Sequence, residues 1–296
     1  MKGIITKGIG GFYYVETKEG MYECKARGLF RKQKLTPLAG DTCNISAMPD
    51  MTGYIEEIFE RKNAFVRPPI ANVDQMIIVC AAAAPQPLPI LIDKLSVVAL
   101  KEGVEPTVVI NKIDLKTDNT DEIAKSYRKA GFKVYTVSAI KGEGIDLIKN
   151  DMAGKISVFA GCSGVGKSSI LNCLLPDLNQ KTGDVSEKIK RGKHTTREVS
   201  LIKLPEGGYI ADTPGFSELE IAEITDVEKE QLFEYFPEIE KYSGECNFRD
   251  CRHINEPGCN VKKAVEEGNI SLSRYESYKE IFSQLGEINK WEKKLK

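Results

Sequence analysis

The stretch Gly161-Cys162-Ser163-Gly164-Val165-Gly166-Lys167-Ser168 limits the possible folds more than any other part of the chain. It meets every fixed position of G-x-x-x-x-G-K-[ST], a glycine-rich turn set between a strand and the first turn of a helix. Its flanks comply. Residues 155–160 form a short apolar run of strand type, and residues 169–175 open a helix that Pro176 ends. Such a turn aims backbone N–H groups and the positive end of a helix dipole at a phosphate. The pattern assigns Lys167 to the β- and γ-phosphates and the Ser168 hydroxyl to Mg²⁺. Gly161, Cys162, Ser163, Gly164, Val165, Gly166 and Ser169 then surround the phosphates.

The segment upstream alternates between the two periods of an α/β sheet. Residues 76–81, 107–110 and 133–137 read as strands, and residues 90–101 and 121–130 as helices, a rhythm that predicts a parallel sheet covered on both faces. The second strand ends in Asn111-Lys112-Ile113-Asp114 and the third in Ser138-Ala139. Both ends lie where open α/β sheets bind ligands. Guanine offers N1–H and a 2-amino group side by side, so one carboxylate, Asp114, can accept from both. Adenine has no such pair and would leave that charge unpaired. The Lys112 stem is expected over the base and the Ala139 N–H on its O6. Alone, N-K-x-D is also a plain strand-to-helix turn with Asp as cap.

Downstream, residues 180–197 read as a switch loop containing His194, Thr195 and Thr196. Strands at 198–204 and 208–211 follow, the second running into Asp212-Thr213-Pro214-Gly215. Asp212 suits a Mg²⁺ contact, and the Gly215 N–H suits the γ-phosphate. Thr196, or else Thr195, completes the expected Mg²⁺ set with Ser168. The order is rearranged: the base-reading motifs precede the phosphate half, and the second switch leads straight into the C-terminal segment. Such a permutation is tolerated because domain termini commonly lie close together.

At 296 residues the chain has room for several cores. We expect three domains, at 1–62, 63–220 and 221–296. Residues 1–62 read as short strands at 11–17, 21–26, 41–47 and 54–59, and a five-stranded OB barrel fits that size. Its loop 25–34 holds Lys25, Arg27, Arg31, Lys32 and Lys34 with no acid and with Phe30 among them. That composition suits either an RNA backbone with one stacked base or a solvated basic loop. Arg67-Pro68-Pro69 reads as a linker. The C-terminal domain reads as helices at 227–235, 261–267 and 272–292. Between the first two stands Cys246-x₄-Cys251-x-His253-x₅-Cys259, a Cys₃His set for one structural zinc with no open position. The start shows no apolar leader, and the run 76–84 is too short to span a bilayer. A cytoplasmic monomer without membrane contact is the expectation. The formal net charge of −1 rules out a global basic field, so contact with nucleic acid must be local.

NKID, SA, GCSGVGKSS, GKHTTR, DTPGF, FPEI, CNFRDCRH and EPGC stand in the order found in the ribosome small-subunit-dependent GTPase A family (RsgA, also called YjeQ or YloQ), which this sequence closely resembles over nearly its whole length. The resemblance implies a circularly permuted α/β GTPase domain between an OB barrel and an α-helical zinc domain. It also implies GTP hydrolysis to GDP stimulated by the small (30S) ribosomal subunit, and a role in late maturation of that subunit through contact with its rRNA. Cys162 stands where members often have Gln. Phe216 occupies the place where many GTPases carry a water-orienting Gln, so unassisted turnover should be slow and His194 is the nearest candidate for the missing group. Gly164 stands where some GTPases recruit potassium through an Asn. The rival readings are an assembly placeholder with incidental turnover and a P-loop phosphotransferase acting on a small molecule.

Overall fold

The computed structural model describes residues 1–32, 34–66, 68–115, 119–175, 199–212 and 227–292. In chain order its elements begin with β1 (Lys2–Ile9), β2 (Phe12–Thr17), β3 (Gly20–Ala26), the short helix α1 (Gly28–Lys32), β4 (Thr42–Ala47), β5 (Thr52–Ile58), β6 (Ala64–Phe65) and β7 (Ile70–Ala71). Next come β8 (Gln75–Ala81), α2 (Pro89–Lys101), β9 (Glu105–Asn111), α3 (Asn119–Lys129), β10 (Lys133–Thr136), α4 (Ile145–Met152), β11 (Ile156–Ala160) and α5 (Lys167–Leu174). The chain continues through β12 (Ser200–Lys203), β13 (Tyr209–Asp212), α6 (Pro237–Ser243), α7 (Asn260–Glu266) and α8 (Leu272–Glu292). It divides into two compact units. One comprises 1–76, 148–159 and 171–216, and the other 77–147, 160–170 and 217–296.

In the first unit β1 to β5 close a barrel. The order β1-β2-β3-β5-β4 returns to β1 through pairs such as Gly3 with Cys43, and β3 runs parallel to β5. The period-2 alternation of β3 sends Tyr22 and Cys24 inward, where they join Ile5, Val15, Cys43, Ile45 and Ile55. Strand β1 is absent from the sequence reading because Gly3 and Gly8 dilute its apolar alternation. Gly3 is there because a Cβ would lie 2.6 Å from the Val15 side chain. Inside the barrel, burial pushes the Cys24 thiol to about 11 and the Cys43 thiol to about 12. In the same unit β11 pairs in parallel with β13, β13 pairs with β12, and Lys7 of β1 lies across from Ser200 of β12.

The second unit holds the sheet order β10-β9-β8, with β9 and β10 parallel. Helix α2 is buried from Ile92 to Ala99, so it behaves as an interior helix rather than an amphipathic cover. That burial encloses Asp93, which is fully inaccessible. Its partner comes from α8. Arg274 Nη1 donates to Asp93 Oδ1 at 2.6 Å, while Nε and Nη2 donate to the two Glu238 oxygens of α6 at 2.6 and 3.0 Å. Tyr127 Oη of α3 donates to Asp93 at 2.9 Å. The guanidinium also stacks among Phe236, Phe132 and Tyr127, with ring centroids 4.7, 5.0 and 5.4 Å away. One buried arginine thus ties the C-terminal helices to α2 and α3. Residues 227–235, read as a helix, instead form a 3-10 segment at Lys229–Tyr235, and Pro237 then opens α6.

Candidate functional site

Within the second unit the two nucleotide-type motifs meet at the Asn111 side-chain amide. Asn111 ends β9 with 2% of its surface exposed. Its Nδ2 donates to the Val165 carbonyl of the glycine-rich loop at 3.0 Å, and its Oδ1 accepts from the Ala139 N–H at 3.1 Å. Each such bond is worth about 1 kcal/mol net, but a buried amide left unpaired would cost about 1–3 kcal/mol, so the loop and the Ser-Ala turn are held together. The Ala139 N–H, expected on the base, is engaged by Asn111. Lys112 sits in the left-handed region at φ 65°. Its Nζ donates to the Ala84 carbonyl and, at 2.6 Å, to the Gly164 carbonyl, so its stem runs from the N-K-x-D turn to the loop.

Asp114 lies on a 3-10 turn over Ile113–Leu115, and fully buried Ser138 donates to its Oδ1 at 2.6 Å. That bond holds the Asp114 carboxyl below its usual range, with smaller help from Lys141 and Lys112. The carboxylate is fixed and ionised, as an acceptor for paired N–H donors must be.

The glycines of the loop are obligatory for two separate reasons. Gly161 has φ +132°, and a Cβ there would lie 2.2 Å from the Val79 carbonyl oxygen. Gly166 has φ +96°, and its Cβ would lie 2.2 Å from Asn111 Nδ2. Any side chain at 166 would therefore break the amide bridge as well as strain the turn. Lys167 Nζ donates to the carbonyls of Gly161 at 2.6 Å and Cys162 at 2.8 Å, and burial lowers its pKa. Ser168 is half-buried in the first turn of α5, an oxygen donor of the type magnesium takes. His194, Thr195, Thr196, Gly215 and Phe216 lie outside the described residues, as does the side chain of Asp212.

The C-terminal cluster fits a tetrahedral metal. Cys246, Cys251, His253 and Cys259 bring their ligand atoms within 4.8 Å of one another. The sulfurs of Cys246 and Cys259 both lie 3.5 Å from His253 Nδ1 and 3.9 Å from each other. Zinc at ordinary bond lengths would set S···N near about 3.6 Å and S···S near about 3.8 Å. The loop is braced independently. Glu256 accepts from the N–H groups of Arg252, Ile254 and Asn255 at 2.8–3.0 Å, and Tyr275 Oη donates to the His253 carbonyl at 2.7 Å. Burial raises the Glu256 carboxyl, but those backbone donors outweigh it and leave the group lowered.

The barrel surface corrects one expectation. Phe30 is 4% exposed and packs in the barrel core, so it cannot stack a base. The reason is α1: a single helical turn presents one face inward, and there Phe30 is taken while Leu29 stays 53% exposed. The accessible rings are Phe12 and Tyr54, each under a cation, with Lys25 Nζ 5.0 Å from the Phe12 ring and Arg27 5.9 Å from the Tyr54 ring. Lys25, Arg27, Leu29 and Tyr54 line a shallow cleft. Arg27 is also paired with Glu56 at 2.6 Å. Lys32 and Lys34 are exposed, and the side chain of Arg31 lies outside the described set. Cross-strand register was the signal for the missed ring, because a hairpin pairing Thr17 with Gly20 sets Phe12 opposite Lys25.

Comparison with known proteins agrees with this arrangement. Residues 58–222 match the RsgA GTPase family and residues 2–55 the RsgA N-terminal domain. The chain is 47% identical over 291 residues to a protein of Caldanaerobacter subterraneus subsp. tengcongensis named small ribosomal subunit biogenesis GTPase RsgA, covering 98% of this chain and 97% of that one. A protein of the same name from Geobacillus sp. is 47% identical over 290 residues, 97% of this chain and 98% of the relative. The crystal structure of YjeQ from Thermotoga maritima superposes with a TM-score of 0.84 at 38% identity, covering 96% of this chain and 98% of that one. YloQ, described as a circularly permuted GTPase, gives 0.82 at 37% identity over 97% and 95%.

Proposed function

The chain belongs to the RsgA GTPase family, a family of GTP hydrolases, and on that premise we propose that it couples GTP hydrolysis to biogenesis of the small ribosomal subunit. The observation that carries the reading is the Asn111 bridge, which brings the glycine-rich loop and the Asp114–Ser138 pair to one place. On this reading Asp114 accepts from the guanine N1–H and 2-amino group. Lys112 covers the base, and the loop N–H groups from 161 to 169 hold the phosphates. Lys167 leaves its own carbonyls for the β- and γ-phosphates. Magnesium, held by Ser168 with Thr196 and Asp212, would neutralise charge on the phosphates. Gly215 would sense the γ-phosphate, and His194 would orient the water in place of the glutamine that Phe216 replaces.

The three modules, 1–62, 63–220 and 221–296, divide the work. Their boundaries are supported by the family matches at 2–55 and 58–222. The barrel, through Lys25, Arg27, Arg31, Lys32 and Lys34 with Phe12 and Tyr54 as stacking rings, grips rRNA, and the zinc module adds a second contact. Among the described residues no helix is long and apolar enough to cross a membrane, and action in the cytoplasm follows from the proposed role in ribosome biogenesis. Turnover measured with and without purified small subunits tests the reading. We expect slow resting hydrolysis and a large stimulation that falls as salt rises, because phosphate contacts carry the grip. His194→Ala should keep subunit binding and lose the stimulated rate. Equal rates with and without subunits would overturn the coupling.

A further inference from the structure

Two cysteines whose thiols hydrolysis does not use line one cavity beside the glycine-rich loop. Cys80 is the penultimate residue of β8, and Cys162 is the second residue of the glycine-rich loop. The two backbones touch one position earlier, where a Cβ on Gly161 would lie 2.2 Å from the Val79 oxygen. The next residue along each segment is a cysteine. Both line one cavity of about 130 Å³, whose other walls include Leu88, Leu91, Ile92 and Leu95 at the start of α2. Cys80 is 4% exposed and Cys162 is half-buried, so one thiol is sequestered and the other can be reached.

We propose that Cys80 and Cys162 are a redox-reactive dithiol that closes to a disulfide with a hydroperoxide and so switches nucleotide binding off. Cys162, as thiolate, attacks the terminal peroxide oxygen. The O–O bond breaks, an alcohol leaves after protonation, and Cys162 becomes a sulfenic acid. The Cys80 sulfur then attacks the Cys162 sulfur and gives up its proton, and the hydroxyl departs as water. In sum, two thiols lose two electrons and two protons, and the peroxide becomes one alcohol and one water. Burial pushes the Cys80 thiol to about 12, which suits the resolving rather than the attacking role. The consequence follows from Lys167, whose ammonium is bound to the Gly161 and Cys162 carbonyls. A bond from Cys162 to β8 would hold residue 162 and keep the lysine turned back on its own loop.

This inference rests on the loop being the nucleotide site, and the two can be tested apart. Full-length, zinc-loaded protein is treated with cumene hydroperoxide and mapped by non-reducing mass spectrometry, and fluorescent GDP binding is titrated before and after. We expect a peptide linking 80 to 162 with the loss of two hydrogens, at least a tenfold fall in affinity, and recovery with dithiothreitol. Cys80→Ala should keep its affinity through the same treatment. No linked peptide, or a linked peptide with unchanged affinity, overturns the switch. Reduced protein that binds no nucleotide would overturn the nucleotide reading and the switch with it, while the linked peptide would still report the dithiol. The wild-type reversal does not depend on how the variant folds.

Discussion

Replacing Arg274 with Met removes the cation from between two carboxylates and keeps most of the side-chain volume. In the wild-type protein Arg274 and Asp93 have fully buried side chains, and that of Glu238 is 5% exposed. Without the guanidinium each carboxyl must stay ionised and unpaired or take up a proton. At pH 7 protonation costs about 4 kcal/mol for an Asp and slightly less for a Glu, from 1.36 kcal/mol per pKa unit. Two such costs sum to about 8 kcal/mol, an upper bound. Water entry and sharing of one proton between the carboxyls reduce it, toward the about 3–5 kcal/mol typical when one partner of a buried ion pair is deleted. The added apolar contact of Met offsets only about 1 kcal/mol of this.

The assay is hydrogen exchange of peptides from α2, α6 and α8, because a chain of two units need not unfold in one step. A loss of 3–5 kcal/mol corresponds to roughly a 10²- to 10³·⁵-fold fall in protection there. The deficit should shrink on acidification. Carboxyls whose folded pKa is raised bind more protons folded than unfolded, so lowering the pH through that window stabilises the folded variant. Burial already raises Asp93 in the wild type, against the pull of Arg274. Adding Asp93→Leu and Glu238→Met to Arg274→Met should restore most of the protection, because an apolar replacement leaves no unpaired charge. A fall of less than about fivefold, equal to 1 kcal/mol, would refute the reasoning.

Asp114→Asn should lose GTP affinity and gain affinity for xanthosine triphosphate, whose 2-oxo group needs a donor; an unchanged preference in competition binding would remove Asp114 from the base site. Because Ser138 holds the Asp114 carboxyl below its usual range, base selectivity should persist as pH falls through the ordinary carboxylate range and fail only below it. Cys251→Ser or chelation should expose the C-terminal helices to proteolysis and release about one zinc per chain while leaving nucleotide affinity within about twofold, since metal binding is folding energy for that module. Metal analysis of fresh protein that finds no zinc would contradict this. Phe30→Ala should destabilise the barrel by about 3–5 kcal/mol. Tyr54→Ala should leave barrel stability nearly unchanged and weaken binding to small subunits or single-stranded RNA by about 1–3 kcal/mol, a loss of at least fivefold in co-sedimentation. The opposite pattern would return Phe30 to the surface.

These predictions fall into two kinds that the sequence exposes unequally. The glycine-rich loop is legible because its constraints are local: Gly161 and Gly166 stand where the backbone needs positive φ and a neighbour comes within 2.2 Å. The zinc set is legible for the same reason, with all four ligands inside one short loop. The place of Phe30 is not legible, because composition describes a loop as a whole, whereas burial is decided residue by residue on a single turn. Arg274 left no local trace. It lies in a helix rich in Ser, Tyr, Lys and Glu, and its two carboxylates stand 36 and 181 positions away. Catalytic turns can be read from the chain because they are made by a few consecutive residues acting on a ligand. The joint between the C-terminal helices and α2 arises only when distant segments pack. Yet α2 begins at the cavity beside Gly161 and Cys162, so the Arg274 joint gives one contiguous route of contacts from the C-terminal helices to the wall of the phosphate loop. If that route carries the signal, restoring stability with the apolar triple variant should still leave the stimulated rate low, because packing returns but the fixed hydrogen-bonded register between α8 and α2 does not.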